Sequence, residues 1–172
     1  MNGVAKRAVV VCSFFSALFL AFPAEAAWQS VGNVISVTQP KPNQIVLGTS
    51  SRARVSIEFF DINIVRIRVA PSGTFERDFS YAIDYSRDRH TPKVTLTRAA
   101  REVILKNYYG TAVTIGKSPF SVRITDETGA VVLEDDPRHP TLFDNTTGEI
   151  RTSKLRRSEV ETYYGFGEKA FA

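Results

Sequence analysis

Cleaving a sugar linkage takes two carboxylates facing each other across a cleft, one of them with a raised pKa. A chain with 18 Asp and Glu has acids to spare, yet no pair is marked by its surroundings. The densest group, Glu134-Asp135-Asp136, offers the oxygen ligands that calcium takes, without the spacing of an EF-hand loop. It reads better as a solvated turn that stops edge pairing. His90 and His139 are far apart and have no cysteine beside them, only the acids Asp88, Asp135 and Asp136. Three or four converging ligands make a metal site, so both are read as loop histidines and no metal is expected. Lys154-Leu155-Arg156-Arg157 is the densest basic run. Nucleic-acid binding needs more charge on one face, with aromatic platforms, so the run is read as a strand exposing its basic residues. Asn145-Thr146-Thr147 fits the Asn-x-Thr acceptor for glycosylation and also makes a good turn. Gly165-Phe166-Gly167 is a lone Gly-x-Gly without the third glycine of a dinucleotide loop. No nucleophile elbow or phosphate loop occurs. The expectation is a chain with no catalytic residue, no metal and no cofactor of its own.

The richest stretch lies near the last residue: Tyr163, Tyr164, Gly165, Phe166, Gly167, Glu168 and Lys169. Termini are ordinarily plain and frayed. Such a concentration of aromatics, glycines and charge therefore reads as a junction leading into a longer protein. The glycines permit close backbone approach, and the three rings are suited to covering an interface with another domain.

The elements that must position these residues follow from the rest of the sequence. Its 172 residues, 43% hydrophobic and 23% charged, fit one globular domain with a core that needs no disulfides. The net charge of +4 is spread out and gives no footprint for nucleic acid. Residues 1–7 carry Lys6 and Arg7 without an acid, residues 8–22 are apolar apart from Ser13 and Ser16, and Pro23-Ala24-Glu25-Ala26 supplies an Ala-x-Ala exit. That is the layout of a secretory signal peptide over residues 1–26, too short for the roughly 20 apolar residues of a spanning helix. A secreted or periplasmic chain, free of the membrane after cleavage, is expected. Cys12 leaves with the signal, and Val11 before it is too large for a lipoprotein processing site. The mature chain then has no thiol chemistry.

From residue 27 onward short alternating runs are separated by turn residues. Strands are predicted over residues 34–38, 44–47, 53–59, 64–69, 94–97, 102–106, 112–115, 120–125 and 131–134. A period of two puts Val55, Ile57 and Phe59 on one face and Arg54, Ser56 and Glu58 on the other, and likewise Val65, Ile67 and Val69 inward and Arg66 and Arg68 outward. Asp126-Glu127-Thr128-Gly129 signals a hairpin. Residues 60–63 read as a turn, residues 74–92 as a long loop with an edge strand around Tyr81 and Tyr85, and residues 149–158 as a further strand. No apolar 3.6-residue period appears. The mature chain, residues 27–172, is therefore expected to be one all-β domain, an antiparallel β-sandwich.

Three segments then carry a resemblance. Tyr163-Tyr164-Gly165-Phe166-Gly167-Glu168-Lys169 resembles the Tyr-Gly-(Leu/Phe)-Gly-Glu motif that ends the N-terminal β-sandwich of glycoside hydrolase family 31, which includes α-glucosidases and α-xylosidases. Ile64-Val65-Arg66-Ile67-Arg68-Val69 is similar to the family's early strand. Lys117-Ser118-Pro119-Phe120-Ser121-Val122-Arg123-Ile124, followed by Asp126, Gly129 and Val131-Val132-Leu133-Glu134-Asp135, is similar to its central hairpin. The resemblance implies a galactose-mutarotase-like β-sandwich that packs on a (β/α)8 barrel and shapes its entrance. That barrel carries two catalytic aspartates for retaining hydrolysis of α-linked oligosaccharides and needs no cofactor. The barrel would lie beyond Ala172, so no catalytic residue is carried over. Two other functions compete: a stand-alone carbohydrate-binding sandwich that stacks sugars on Tyr108, Tyr109, Tyr163 and Tyr164, and an extracellular structural domain, which no feature specifically supports.

Overall fold

Strands with β-branched or aromatic side chains at alternate positions present one apolar face, and two such faces stabilise each other by closing over a common core. The chain does this in a computed structural model that describes residues 28–78 and 92–156. In chain order the strands are β1 (Trp28–Ser30), β2 (Val34–Lys41), β3 (Gln44–Thr49), β4 (Arg54–Asp61), β5 (Ile64–Ala70) and β6 (Val94–Arg98). They continue with β7 (Glu102–Asn107), β8 (Ala112–Lys117), β9 (Phe120–Thr125), β10 (Val131–Glu134), β11 (Leu142–Asp144) and β12 (Ile150–Arg151). A four-stranded sheet has the order β2-β3-β4-β5, and a five-stranded sheet the order β10-β9-β8-β7-β6. Every pairing is antiparallel.

Register aligns the apolar rows. Leu47 lies opposite Val55 and Val55 opposite Val69, while Ile45, Ile57 and Ile67 form the next row. In the other sheet Val103, Ile115 and Val122 align, as do Leu105, Val113 and Ile124. A slip of one residue would turn each row to the wrong face. Inward side chains of both sheets merge into one core cluster, with Ile57, Phe59, Leu105 and Ile115 fully buried in it.

Three features differ from the sequence expectation. The first is a third sheet, in the order β1-β11-β12. It delivers Val31 and Phe143 to the core. Val31 N donates to Thr141 O at 3.0 Å, extending the β1–β11 pair, and Phe120 N donates to Gly32 O at 2.9 Å, which ties this sheet to β9 of the sandwich. The second is the strand predicted over residues 149–158. Only Ile150 and Arg151 pair with β11. Asp136 N then donates to Ser153 O at 2.9 Å and Leu155 N to Glu134 O at 2.8 Å, so residues 153–155 serve the end of β10 instead. One predicted strand is divided between two sheets. The third is the start of the predicted turn at residues 60–63, which β4 absorbs by running to Asp61 through a register shift.

The predicted inward and outward faces of β4 and β5 are as expected, but the polar face of β4 is not open: Ser56 and Glu58 are buried along with the apolar residues between them. Residues 1–26, the edge strand around Tyr81 and Tyr85, His90 and Tyr163 to Lys169 lie outside the described residues.

Candidate functional site

The three acids of the 134–136 run each hold a local partner. Glu134 Oε1 accepts from Arg123 Nε at 2.9 Å and Nη2 at 2.6 Å across the β9–β10 pair. Asp135 turns inward, where its Oδ2 accepts from Val122 N at 2.9 Å and its Oδ1 is paired with Lys154 Nζ. Lys154 stays exposed, as the sequence suggested, while its ammonium pairs with the buried Asp135. Asp136 closes the following turn, accepting from Arg138 N at 3.0 Å, Arg138 Nη2 at 3.2 Å and His139 Nδ1 at 2.9 Å. Three consecutive acids therefore point to three different partners. Among the described residues no three His, Cys, Asp or Glu side chains converge to hold a metal ion.

Among the described residues the carboxylates whose ionisation is shifted are all pushed the same way. Arg138, and after it His139, hold Asp136 well below the usual carboxylate range. The Arg66 guanidinium lowers Asp78, the Thr128 hydroxyl lowers Asp126, and the backbone N–H of Thr146 lowers Asp144. A proton donor for glycoside cleavage needs the opposite shift, produced by an apolar pocket or a neighbouring negative charge. These four carboxylates are acceptors that fix turns and pairs.

The covered face of β4 is the most developed ionic cluster. Glu58 Oε2 lies 2.9 Å from Arg66 Nη2 on the neighbouring strand. The same guanidinium grips Asp78 with Nη1 at 2.9 Å and Nη2 at 2.7 Å and rests over the Phe60 ring, 4.7 Å from its centroid. Phe75 lies under both Arg54 and Arg68, at 5.8 and 5.3 Å, and Arg68 Nη2 donates to Glu76 O at 2.7 Å. Residues 75–78 thus lie over β4 and β5 through arginines. Alternation puts Arg54, Arg66 and Arg68 on one face. Phe75, at the start of an otherwise polar stretch, was the available signal that something covers them.

Among the described residues several clefts open on the surface, three of them next to the features above. One of about 510 Å3 lies between residues 68–76 and the turn at residues 145–148. A second, about 270 Å3, is apolar, lined by Ile67 and Val69 of β5, Phe120 and Val122 of β9, and Ile150. It marks the side of the sandwich where the inward residues of β5 are only partly covered. The third, about 370 Å3, lies at the end formed by the β4–β5, β7–β8 and β9–β10 turns, and Asn63, Thr111 and Glu127 are on its wall. Tyr108 and Tyr109 stand at the β7–β8 tip, 88% and 54% exposed. Asn145 is exposed on its turn, next to Asp144, which accepts from Thr146 N and Thr147 Oγ1.

Residues 54–172 match the family described as the glycosyl hydrolase 31 N-terminal galactose mutarotase-like domain. The fold is similar to part of a GH31 dextranase of Flavobacterium johnsoniae solved with isomaltotriose, with a TM-score of 0.66 and 22% identity over 76% of this chain and 16% of that one. It is also similar to part of a cycloalternan-forming enzyme of Listeria monocytogenes solved with a pentasaccharide substrate, with a TM-score of 0.55 and 16% identity over 68% of this chain and 10% of that one. The chain therefore spans a sixth or less of the length of these solved enzymes. No curated protein matches the sequence.

Proposed function

Because the chain belongs to the glycosyl hydrolase 31 N-terminal galactose mutarotase-like domain family, we propose that it is the leading β-sandwich of a secreted retaining α-glycosidase, of the α-glucosidase or α-xylosidase type. In that role it packs on a catalytic (β/α)8 barrel elsewhere in the parent protein and shapes the entrance through which an α-linked oligosaccharide reaches the catalytic groups. The family match, which runs from β4 through residue 172, is the observation that carries the reading. Two others support it. The four shifted carboxylates are all lowered, which suits a scaffold rather than an acid catalyst. The apolar cleft between β5 and β9 leaves Ile67, Val69 and Phe120 facing a gap that a neighbouring domain would fill. The sugars bound by the two solved relatives agree with an oligosaccharide substrate.

The test is to express the entire reading frame beside the 172-residue chain and assay both on p-nitrophenyl α-glucoside and α-xyloside. The longer protein should release p-nitrophenol with retained anomeric configuration, and the 172-residue chain should release none. N-terminal sequencing of the extracytoplasmic product should begin at Ala27. A reading frame without a barrel, or a longer protein inactive on every α-glycoside, would overturn the proposal.

A further inference from the structure

In β-sandwiches the turns gather at two ends, and surfaces for ligands are commonly built there. At one end the turns at residues 62–63, 108–111 and 126–130 meet. Asn107, buried at the base of the tyrosine tip, donates from Nδ2 to Ile62 O at 2.8 Å. Its backbone N donates to Thr111 O at 3.0 Å, and Gly110 N donates to Asn107 O at 3.2 Å. Gly110, at a φ of 106°, lies against the backbone of Glu127, where an added Cβ would come within 3.0 Å of the Glu127 Cα. The three turns are thus fixed to one another directly beneath Tyr108 and Tyr109.

The two rings stand in solvent above this base, 5.8 Å between centroids and 84° between planes. A perpendicular pair offers one flat face and one wall. The cleft of about 370 Å3 opens at the same end and shares the β7–β8 turn with the rings through Thr111, with an amide (Asn63), a hydroxyl (Thr111) and carboxylates (Asp126, Glu127) beside the apolar side chains of Val65, Ile124 and Leu133. We propose that this loop end is a contact site for a neutral glycan, with Tyr108 and Tyr109 as its stacking surface and Asn63, Thr111 and Glu127 as its hydrogen-bonding rim.

The chemistry fits a sugar in two respects. A pyranose has an apolar C–H face that lies on an aromatic ring, and its edge carries adjacent hydroxyls that amide, hydroxyl and carboxylate groups bind in pairs. The cleft is within the range of roughly 300–1,000 Å3 usual for small-ligand sites. The charged groups that line the cleft, Asp126 and Glu127, are both acids and disfavour a phosphate-bearing ligand there. The site goes beyond the role of a barrel-packing domain and does not depend on it.

Affinity electrophoresis of the 172-residue chain through gels containing dextran or soluble starch tests the site. The expected result is retardation in at least one gel, lost in a Tyr108→Ala/Tyr109→Ala variant whose thermal midpoint is unchanged, weakened in Glu127→Ala, and kept in Tyr109→Trp. Migration of the wild type unaffected by both glycans would refute the site. So would retardation that survives the double substitution. If the tyrosines instead become protected from iodination only when the rest of the reading frame is present, with no effect of glycan, the tip is a protein interface and the proposal fails. Activity on α-glycosides by the longer protein bears on the catalytic proposal alone, so the two readings can fail separately.

Discussion

Replacing Glu58 by alanine asks whether the polar face of β4 is a sealed ionic layer or a wet surface. The Glu58 side chain is 9% exposed and the Arg66 side chain 21%, while Asp78 is 47% exposed. Removing one member of a buried ion pair costs about 3–5 kcal/mol, because the other charge is left uncompensated. Here Arg66 keeps the two-pronged contact to Asp78 and some access to water, which brings the expected loss to about 2–3 kcal/mol. Asp78 touches the same guanidinium at 2.7 Å, and distance alone would make it the stronger partner. Burial reverses the order: an exposed ion pair contributes about 0–1 kcal/mol, so Asp78→Ala should cost less than about 1 kcal/mol.

Urea unfolding of the 172-residue chain, followed by far-ultraviolet circular dichroism, gives these differences from midpoint and slope. For a domain near this size about 2–3 kcal/mol corresponds to a loss of about 4–12 °C in thermal midpoint. A Glu58→Leu/Arg66→Met chain, which removes both charges, should return to within about 1 kcal/mol of the wild type, since apolar replacement of a buried pair is often neutral. If Glu58→Ala falls within about 0.5 kcal/mol of the wild type, the layer formed by residues 75–78 does not seal the face, and the argument from burial fails.

Two further perturbations reach other parts of the fold. Phe143 anchors the three-stranded sheet in the core, so Phe143→Ala should cost about 3–5 kcal/mol in urea unfolding, and a loss below about 1 kcal/mol would mean that β11 is not docked as described. The Asp136 carboxylate is lowered in the folded chain by Arg138 and then His139, so its contribution is present above its unfolded pKa of about 3.9 and is lost as pH falls through the folded value. The stability gap between wild type and Asp136→Asn should accordingly narrow from pH 6 toward pH 2, and a gap that stays constant over that range would refute the assignment.

How much of this was legible depended on whether the cause was local. In β4, β5, β7, β8 and β9 a period of two is enough, because inward and outward residues alternate over five residues or more. The strands β1 and β11 have three residues each, too few to show a period, and pair with each other across more than a hundred positions of sequence. Residues 149–158 misled because they do contain strand-like residues, while two sheets compete for the backbone. The burial of Glu58 was hidden because its cover is an irregular segment, held by arginine side chains rather than by a ladder. The tyrosine tip was legible as exposed aromatics. Its cleft was not, since Asn107 reaches Ile62 across 45 positions to bring the turns together.

Three of the acids with lowered pKa share one local setting. Asp126, Asp136 and Asp144 each sit at the start of a turn, two to four residues before the N–H groups they accept from. An acid in that position is stabilised as the anion by hydrogen bonds to donors the turn must satisfy anyway. The Arg138 side chain for Asp136, the Thr128 hydroxyl for Asp126 and the Thr146 N–H for Asp144 lead the lowering, all from groups of the same turn, and a lowered carboxylate cannot protonate a leaving group near neutral pH. Turn-fixing and acid catalysis therefore make opposite demands on the same side chain. Here the turn-forming acids rigidify the ends of a sandwich, and rigid ends are what a domain needs if its contribution is to hold surfaces in place, whether against a barrel or around a sugar.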